Sequence, residues 1–169
     1  MDPERHEELK RRFNFEAWRE RNLLRSTATL KSFEIGENHM PGWQICRRSY
    51  DSTIRPPVAK TIWGRRELSN EQLLNIEVRT CDSLQAAHTH LLELLGEFQS
   101  TALKERPELN IGDVAFGISD PTMLLFARAN LVVLARNAGP QLVSVHDVAG
   151  RLDAEILSQL RRGENPQVP

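Results

Sequence analysis

The densest chemical signal in the chain lies between Trp43 and Leu68. Arg47, Arg48, Arg55, Lys60, Arg65 and Arg66 fall in that span, Trp43, Tyr50 and Trp63 interleave with them, and Asp51 and Glu67 are its acids. Cations with aromatics between them bind phosphates and stack on bases, or receive an anionic protein surface. The same pattern arises when alternate side chains of a strand simply point to water. Trp43, Arg47, Arg48, Trp63, Arg65 and Arg66 are the candidate binding residues on these grounds. The acids of the N-terminal helix are a possible counterweight to their charge.

Other constellations are weaker. His88-Thr89-His90 with Glu93 suggests metal ligation, but helical zinc sites pair ligands four residues apart on one face. His88 and His90 diverge by roughly 200° on a helix, so no metal is expected. His88 then edges a buried stripe and His90 is solvated. His146, Asp147 and Asp153 share the last helix, yet no Ser or Cys sits in a G-x-S-x-G elbow. A His in the first helical turn faces the positive dipole end, which disfavours its charge. Neither G-x-x-x-x-G-K-[ST] nor G-x-G-x-x-G occurs, so no nucleotide cofactor is expected. Gly112 and Gly117 read as turn and strand-packing glycines. Cys46 and Cys81 are too few for a disulfide framework. They read as small buried hydrophobes, or as sheet neighbours able to pair. Arg47 and Arg48 flank Cys46, a slender basis for an activated thiol.

The elements that must position these residues follow from periodicity. Asp2-Pro3 starts a helix, with Glu4, Glu7 and Glu8 in its first turns. Leu9, Phe13, Ala17, Leu24 and Ala28 lie near one face. Phe15 and Trp18 point elsewhere, which allows packing on the chain's own domain, self-association or partner docking. The helix frays around Arg25 to Lys31, and a break near Asn14 would give two shorter helices. Strands are expected at Trp43–Tyr50 and Val58–Gly64, and through the alternation of Leu74, Ile76 and Val78, after a turn region from Arg65 to Gln72. Asp82-Ser83 caps a helix with a wide stripe from Leu84 to Phe98. Strands at Val114–Ile118, Met123–Arg128 and Leu131–Arg136 follow, the last two around the two-residue hairpin Ala129-Asn130. Ser144 caps the final helix, whose stripe runs from Val145 to Leu160, and Asp147 resembles the acid of a capping box. Gly163 to Pro169 reads as a flexible, frayed tail.

Strands arriving in runs between helices argue for an α+β domain. About six mostly antiparallel strands are expected, covered by two amphipathic helices, with residues 1–35 as an N-terminal helical segment and 36–162 as the α+β domain.

Several phrases of this pattern resemble a loose class of bacterial extracytoplasmic α+β domains, mostly of unknown function. They are Ser83 with Ala87, then Ile111-Gly112-Asp113-Val114-Ala115, Phe126-Ala127-Arg128-Ala129-Asn130-Leu131-Val132-Val133, and Val148-Ala149-Gly150-Arg151-Leu152-Asp153. In that class they read "iGD-x-A", "F-x-R-G-N-v-v-v" and "v-A-x-x-l-D", and Gly42-Trp43 followed by Tyr50 is similar to its opening. The match covers roughly residues 40 to 160, and every element of it is structural. Ala129 stands where the class has Gly, although primed hairpin turns want positive φ there, at a cost to Ala of roughly 1 kcal/mol. Another turn type, or Asn130 alone in the left-handed region, would avoid that cost. The resemblance implies a location outside the cytoplasm.

The chain of 169 residues carries 22 basic and 23 acidic residues, a net charge of −1. Such a balance gives no whole-protein field to steer nucleic acid or anionic membrane. No apolar run approaches the ~18 residues of a membrane span, and the polar start lacks a signal core, so the sequence as given reads as cytoplasmic. A non-enzymatic binding or assembly domain of unknown partner is expected, using the basic and aromatic sheet face for a protein or another anionic partner. A nucleic-acid-binding module and an enzyme with an unrecognised site are the alternatives.

Overall fold

A computed structural model describes residues 3–22, 28–98 and 100–164. It is an α+β domain built on one seven-stranded antiparallel sheet. The strands are β1 (Trp43–Asp51), β2 (Val58–Arg65), β3 (Leu68–Thr80), β4 (Lys104–Glu105), β5 (Val114–Gly117), β6 (Met123–Arg128) and β7 (Leu131–Asn137), in the spatial order β1-β2-β3-β7-β6-β5-β4. The helices are α1 (Pro3–Arg12), α2 (Phe15–Asn22), α3 (Leu84–Glu97) and α4 (His146–Glu164). No helix among the described residues is long and apolar enough to cross a membrane.

Alternation along the strands divides the core in two. Leu124, Phe126, Val133, Ala135, Leu74 and Ile76 meet Val145 and the stripe of α4 (Val148, Ala149, Leu152, Ile156) on one face. Leu125, Ala127, Val132 and Leu134 meet Leu91, Leu92 and Leu95 of α3 on the other. Strands β6 and β7 are buried on both faces, as their unbroken apolar runs require. Ser83 caps α3, its hydroxyl accepting from the Ala86 N–H at 3.1 Å. Ser144 Oγ accepts from the His146 N–H, the second amide after it rather than the third expected of a capping box. Helix α4 runs through Gly163 to Glu164, longer than the frayed end expected from Gly163, and residues 165–169 lie outside the described residues.

The N-terminal helix does break at Asn14, which takes the left-handed conformation at φ 52°. That break cancels the single helical wheel. Phe13, Phe15 and Trp18 all enter the α3-side core, where Trp18 packs edge-on to Phe15, His88 and Phe116. The Trp18 indole N–H donates to the Phe13 carbonyl at 2.9 Å. The aromatics expected on different faces therefore share one. Leu24 and the expected fraying from Arg25 fall on residues 23–27, outside the described residues.

Two strand expectations change. Strand β3 begins at Leu68, so the turn is Arg66-Glu67 alone; a register shift at Gly64/Arg65 takes up the polar residues of β3 that alternation could not identify. Strand β4 is a two-residue pairing with β5, too short to leave a period in the sequence.

The hairpin tip is held by a buried clasp. The Arg128 guanidinium donates Nε and Nη2 to the two carboxylate oxygens of Asp153 at 2.7 and 2.8 Å, and Nη1 to Asp113 at 3.0 Å. The other Asp113 oxygen accepts the Ala129 N–H at 2.7 Å. Ala129, not Asn130, takes the positive φ, at 52°. Its methyl group is buried in the α4-side core, which offsets part of the conformational cost. Gly112 precedes the clasp at φ +72°, and a Cβ there would stand 2.6 Å from the Ala127 carbonyl. Removing one member of a buried ion cluster strands its partners. Arg128→Ala is expected to cost about 3–5 kcal/mol, measured by urea unfolding; a loss below 1 kcal/mol would mean that the clasp is dispensable.

Candidate functional site

The described residues pair the outer strands β1–β3 with a strap, residues 28–36, that crosses the α4-side face and meets α4 where Gln159 donates to the Glu34 carbonyl at 3.3 Å. The clasp positions this strap indirectly. Asn130, next to the clasp, accepts the Leu30 N–H on Oδ1 at 2.8 Å. Its Nδ2 donates to the carbonyls of Leu30 and Cys81 at 2.9 and 2.8 Å. A side-chain amide thus acts as a short length of strand between the strap and the end of β3. Phe33 and Ile35 of the strap then enter the core beside Val78.

Between strap and sheet lies a cleft of two adjoining parts, about 640 and 300 Å³, which share Phe33, Glu34, Tyr50, Ala59 and Val78. Opposed residues of an antiparallel pair share a face. The register therefore puts Tyr50 over Ala59 and Ala59 over Val78, an apolar floor with Tyr50 68% exposed at its edge. Lys31, Arg48 and Arg55 supply cations to the walls, and Glu34 and Asp82 supply acids.

A third cavity of about 430 Å³ adjoins the first through Arg55, Pro57, Thr80, Cys81 and Asp82. Cys81, His90 and Glu93 all line it, with His90 Nδ1 and Glu93 Oε2 at 3.2 Å. These are the residue types of a thiol nucleophile, base and orienting acid. The electrostatics oppose that role. Burial, reinforced by Asp82, pushes the Cys81 thiol up to about 11, so almost none is thiolate at neutral pH. Burial also holds the His90 imidazole below its ordinary value, against the pull of Glu93. His146 is lowered as well, by burial and then by the Arg106 guanidinium. Among the described residues no group of three or more His, Cys, Asp or Glu side chains could hold a metal.

The six candidate binding residues separate into three places. Trp43 and Trp63 are buried, at 6% and 0% exposure, so neither ring is offered to solvent. Arg65 lies over the Trp43 ring, 5.1 Å from its centroid. Arg66 donates to the Trp43 carbonyl and to Glu37, both at 3.3 Å. Glu37, in a 3-10 turn before β1, and not the N-terminal helix, supplies this counter-charge. Arg48 stands on the cleft wall, its Nη2 donating to the Ile35 carbonyl at 3.3 Å. Arg47 points to the opposite face, because a bulge at Cys46 shifts the alternation of β1. That opposite face carries a separate polar network around the buried Glu77, with Arg79, Arg136 and Lys60 at 3.0, 3.6 and 3.8 Å.

Phe33, Val78 and Asn130 of the cleft carry no signal of a site in the sequence, and Arg55 and Tyr50 stand out there only as one cation and one aromatic of the Trp43–Leu68 span. The strap has no period, and its approach to β1–β3 is a long-range event decided at Asn130. The one local signal is Tyr50 itself, a large aromatic on the edge strand beside a Pro-rich loop.

Cys46 is exposed, Cys81 is buried, and neither is in a disulfide. The bulge on the edge strand is what exposes Cys46, contrary to the expectation of two buried thiols. Cys46 is on β1, Cys81 directly follows β3, and β2 lies between those two strands, so they are not sheet neighbours. Iodoacetamide at pH 8 is expected to alkylate Cys46 at least tenfold faster than Cys81, with the Cys81 rate still climbing above pH 10. Mass spectrometry of the two peptides decides this, and equal rates would contradict the raised thiol.

No protein-family model matches the chain, and no curated protein or solved structure matches it significantly.

Proposed function

We propose that this chain is a non-enzymatic binding domain, and that the cleft under the strap receives an anion with a flat apolar body. The observation that carries this reading is the cleft's composition: an apolar floor of Ala59 and Val78, an exposed Tyr50, and cations on its walls. Apolar area drives entry and a few placed polar groups fix orientation. The state of the neighbouring thiol and imidazole supports binding over nucleophilic catalysis. The burial of Trp43 and Trp63 favours a protein or small-molecule anion over nucleic acid, since base stacking would fall to Tyr50 alone.

The anionic aromatic dye anilinonaphthalene sulfonate is a direct probe. Its fluorescence is expected to rise on titration with the folded protein. Arg55→Glu, Arg48→Glu and Tyr50→Ala should each weaken its binding about threefold to tenfold, roughly 0.7–1.4 kcal/mol, at an unchanged melting temperature. Equal binding by all four proteins would place the dye elsewhere and remove the support for this cleft.

A further inference from the structure

Strand β1 is the outer strand at one edge of the sheet, and all its residues from Cys46 to Asp51 are exposed. Which of its amides face outward follows from the hydrogen-bond phase. Ile45 gives its N–H to Glu37 Oε1 at 2.8 Å, away from β2. Across the sheet, the Leu73 carbonyl accepts from the Ala138 N–H, which turns the odd-numbered residues of β3 toward β7 and the even-numbered ones toward β2. Carried through the register of β2 and β3 and past the bulge at Cys46, that phase turns Arg47, Ser49 and Asp51 inward to β2, and Arg48 and Tyr50 outward. The first half of the edge is occupied by Glu37 and the 3-10 turn. The window from Arg47 to Asp51 is open.

We propose that two copies of this chain pair antiparallel through this window, with Ser49 facing Ser49 of the partner subunit. In that register the outward residues meet each other, Arg48 against Tyr50 of the partner subunit and the reverse. These are the pairs that exchange main-chain hydrogen bonds. On the cleft side, a guanidinium then lies across from an exposed phenol ring, a favourable cation–π partner. On the other face, Arg47 meets Asp51 of the partner subunit. Arg47 has no ion-pair or hydrogen-bond partner among the described residues. Asp51 uses Oδ1 for the Thr53 N–H and hydroxyl, at 2.8 and 2.6 Å, which leaves Oδ2 for Arg47.

The symmetry selects this occupant. A two-fold contact must be self-complementary. Positions 47 and 51 lie equally far from Ser49 and carry opposite charges, and 48 and 50 carry a cation and an aromatic. An acidic strand from another protein would satisfy the arginines but set Asp51 against like charge. The pairing also brings Tyr50 of the partner subunit beside Arg48 at the cleft wall, so each copy would extend the other's cleft. The contact is short, and a weak, concentration-dependent dimer is expected.

Charge reversal tests it independently of any ligand. Sedimentation equilibrium at roughly 0.1–1 mM protein should show the average mass of the unaltered chain rising toward twice the monomer. Arg47→Asp alone and Asp51→Arg alone should each remain monomeric, since each sets like charges across the axis. An equimolar mixture of the two variants should dimerise again, because every cross-axis pair is then opposite. Restoration by mixing separates a specific contact from a folding defect. Ser49→Cys in a Cys46→Ser background should oxidise to a symmetric disulfide dimer. The proposal is overturned if the unaltered chain stays monomeric, if either single reversal still dimerises fully, if the mixture stays monomeric, or if the cysteine variant fails to cross-link. Failure of the unaltered chain to bind the dye, or equal binding by the cleft variants, with pairing intact would sink the cleft reading and leave this one standing.

Discussion

One guanidinium organises the far end of this sheet. Arg128 is bonded to Asp153 on α4 and to Asp113 in the turn before β5, and Asp113 also holds the amide of the hairpin residue Ala129. A turn, a hairpin tip and a helix are thereby fixed to one planar group. Burying one cation among two carboxylates carries a desolvation cost that apolar residues would avoid. What the arrangement supplies is position: a bidentate fork tolerates little change in angle. The consequence runs outward in sequence. With the tip fixed, Asn130 lies between Leu30 and Cys81, and the strap that walls the cleft is held there by its amide. The phrases Ile111–Ala115, Phe126–Val133 and Val148–Asp153 contain the three charged members of this clasp, which gives them a structural meaning without assigning an activity.

Periodicity made the two packed layers readable. The stripes from Leu84 to Phe98 and from Val145 to Leu160 cover opposite faces of the sheet, and the apolar runs of β6 and β7 are those of strands covered on both sides. What escaped were features with no period. Strand β4 is two residues long, β3 starts in a polar stretch, and Ala129 adopts a conformation that local preference opposes. In the last case, the burial of a methyl group and the Asp113 bond to its amide outweigh intrinsic preference, and neither is visible in the eight residues from Phe126 to Val133. The cleft was the least readable part, because its wall is tied to its floor by contacts a hundred residues apart in sequence, from Leu30 to Asn130.

The fate of the cationic span shows how little a charge cluster in sequence fixes a surface. Arg47 and Arg48 would face opposite sides of any strand, but the bulge at Cys46 decides which of them faces the cleft. Without it, Arg47 would follow Trp43 and Ile45 onto the cleft face, and Arg48 and Tyr50 would leave it. The bulge therefore sets Tyr50 over the apolar floor. The indoles of Trp43 and Trp63 serve a different purpose: they carry the outer strands into the α4-side core, in one cluster with Ile156 and Leu160.

The two edges of the sheet are managed unequally. Strand β4 ends one side after two residues, which leaves almost nothing to template another strand. At the other side the protection is partial. Glu37 takes the Ile45 amide, the bulge distorts the middle, and charges follow. A chain selected only against edge pairing would be served best by like charges along that edge, since any copy would then repel any other. Here the exposed window carries Arg47 and Asp51 at mirrored distances from Ser49, a distribution that repels itself in most registers and attracts in one. The same five residues thus discourage indiscriminate stacking while leaving a single closed, two-fold arrangement available, and a closed contact consumes both edges instead of propagating a fibre.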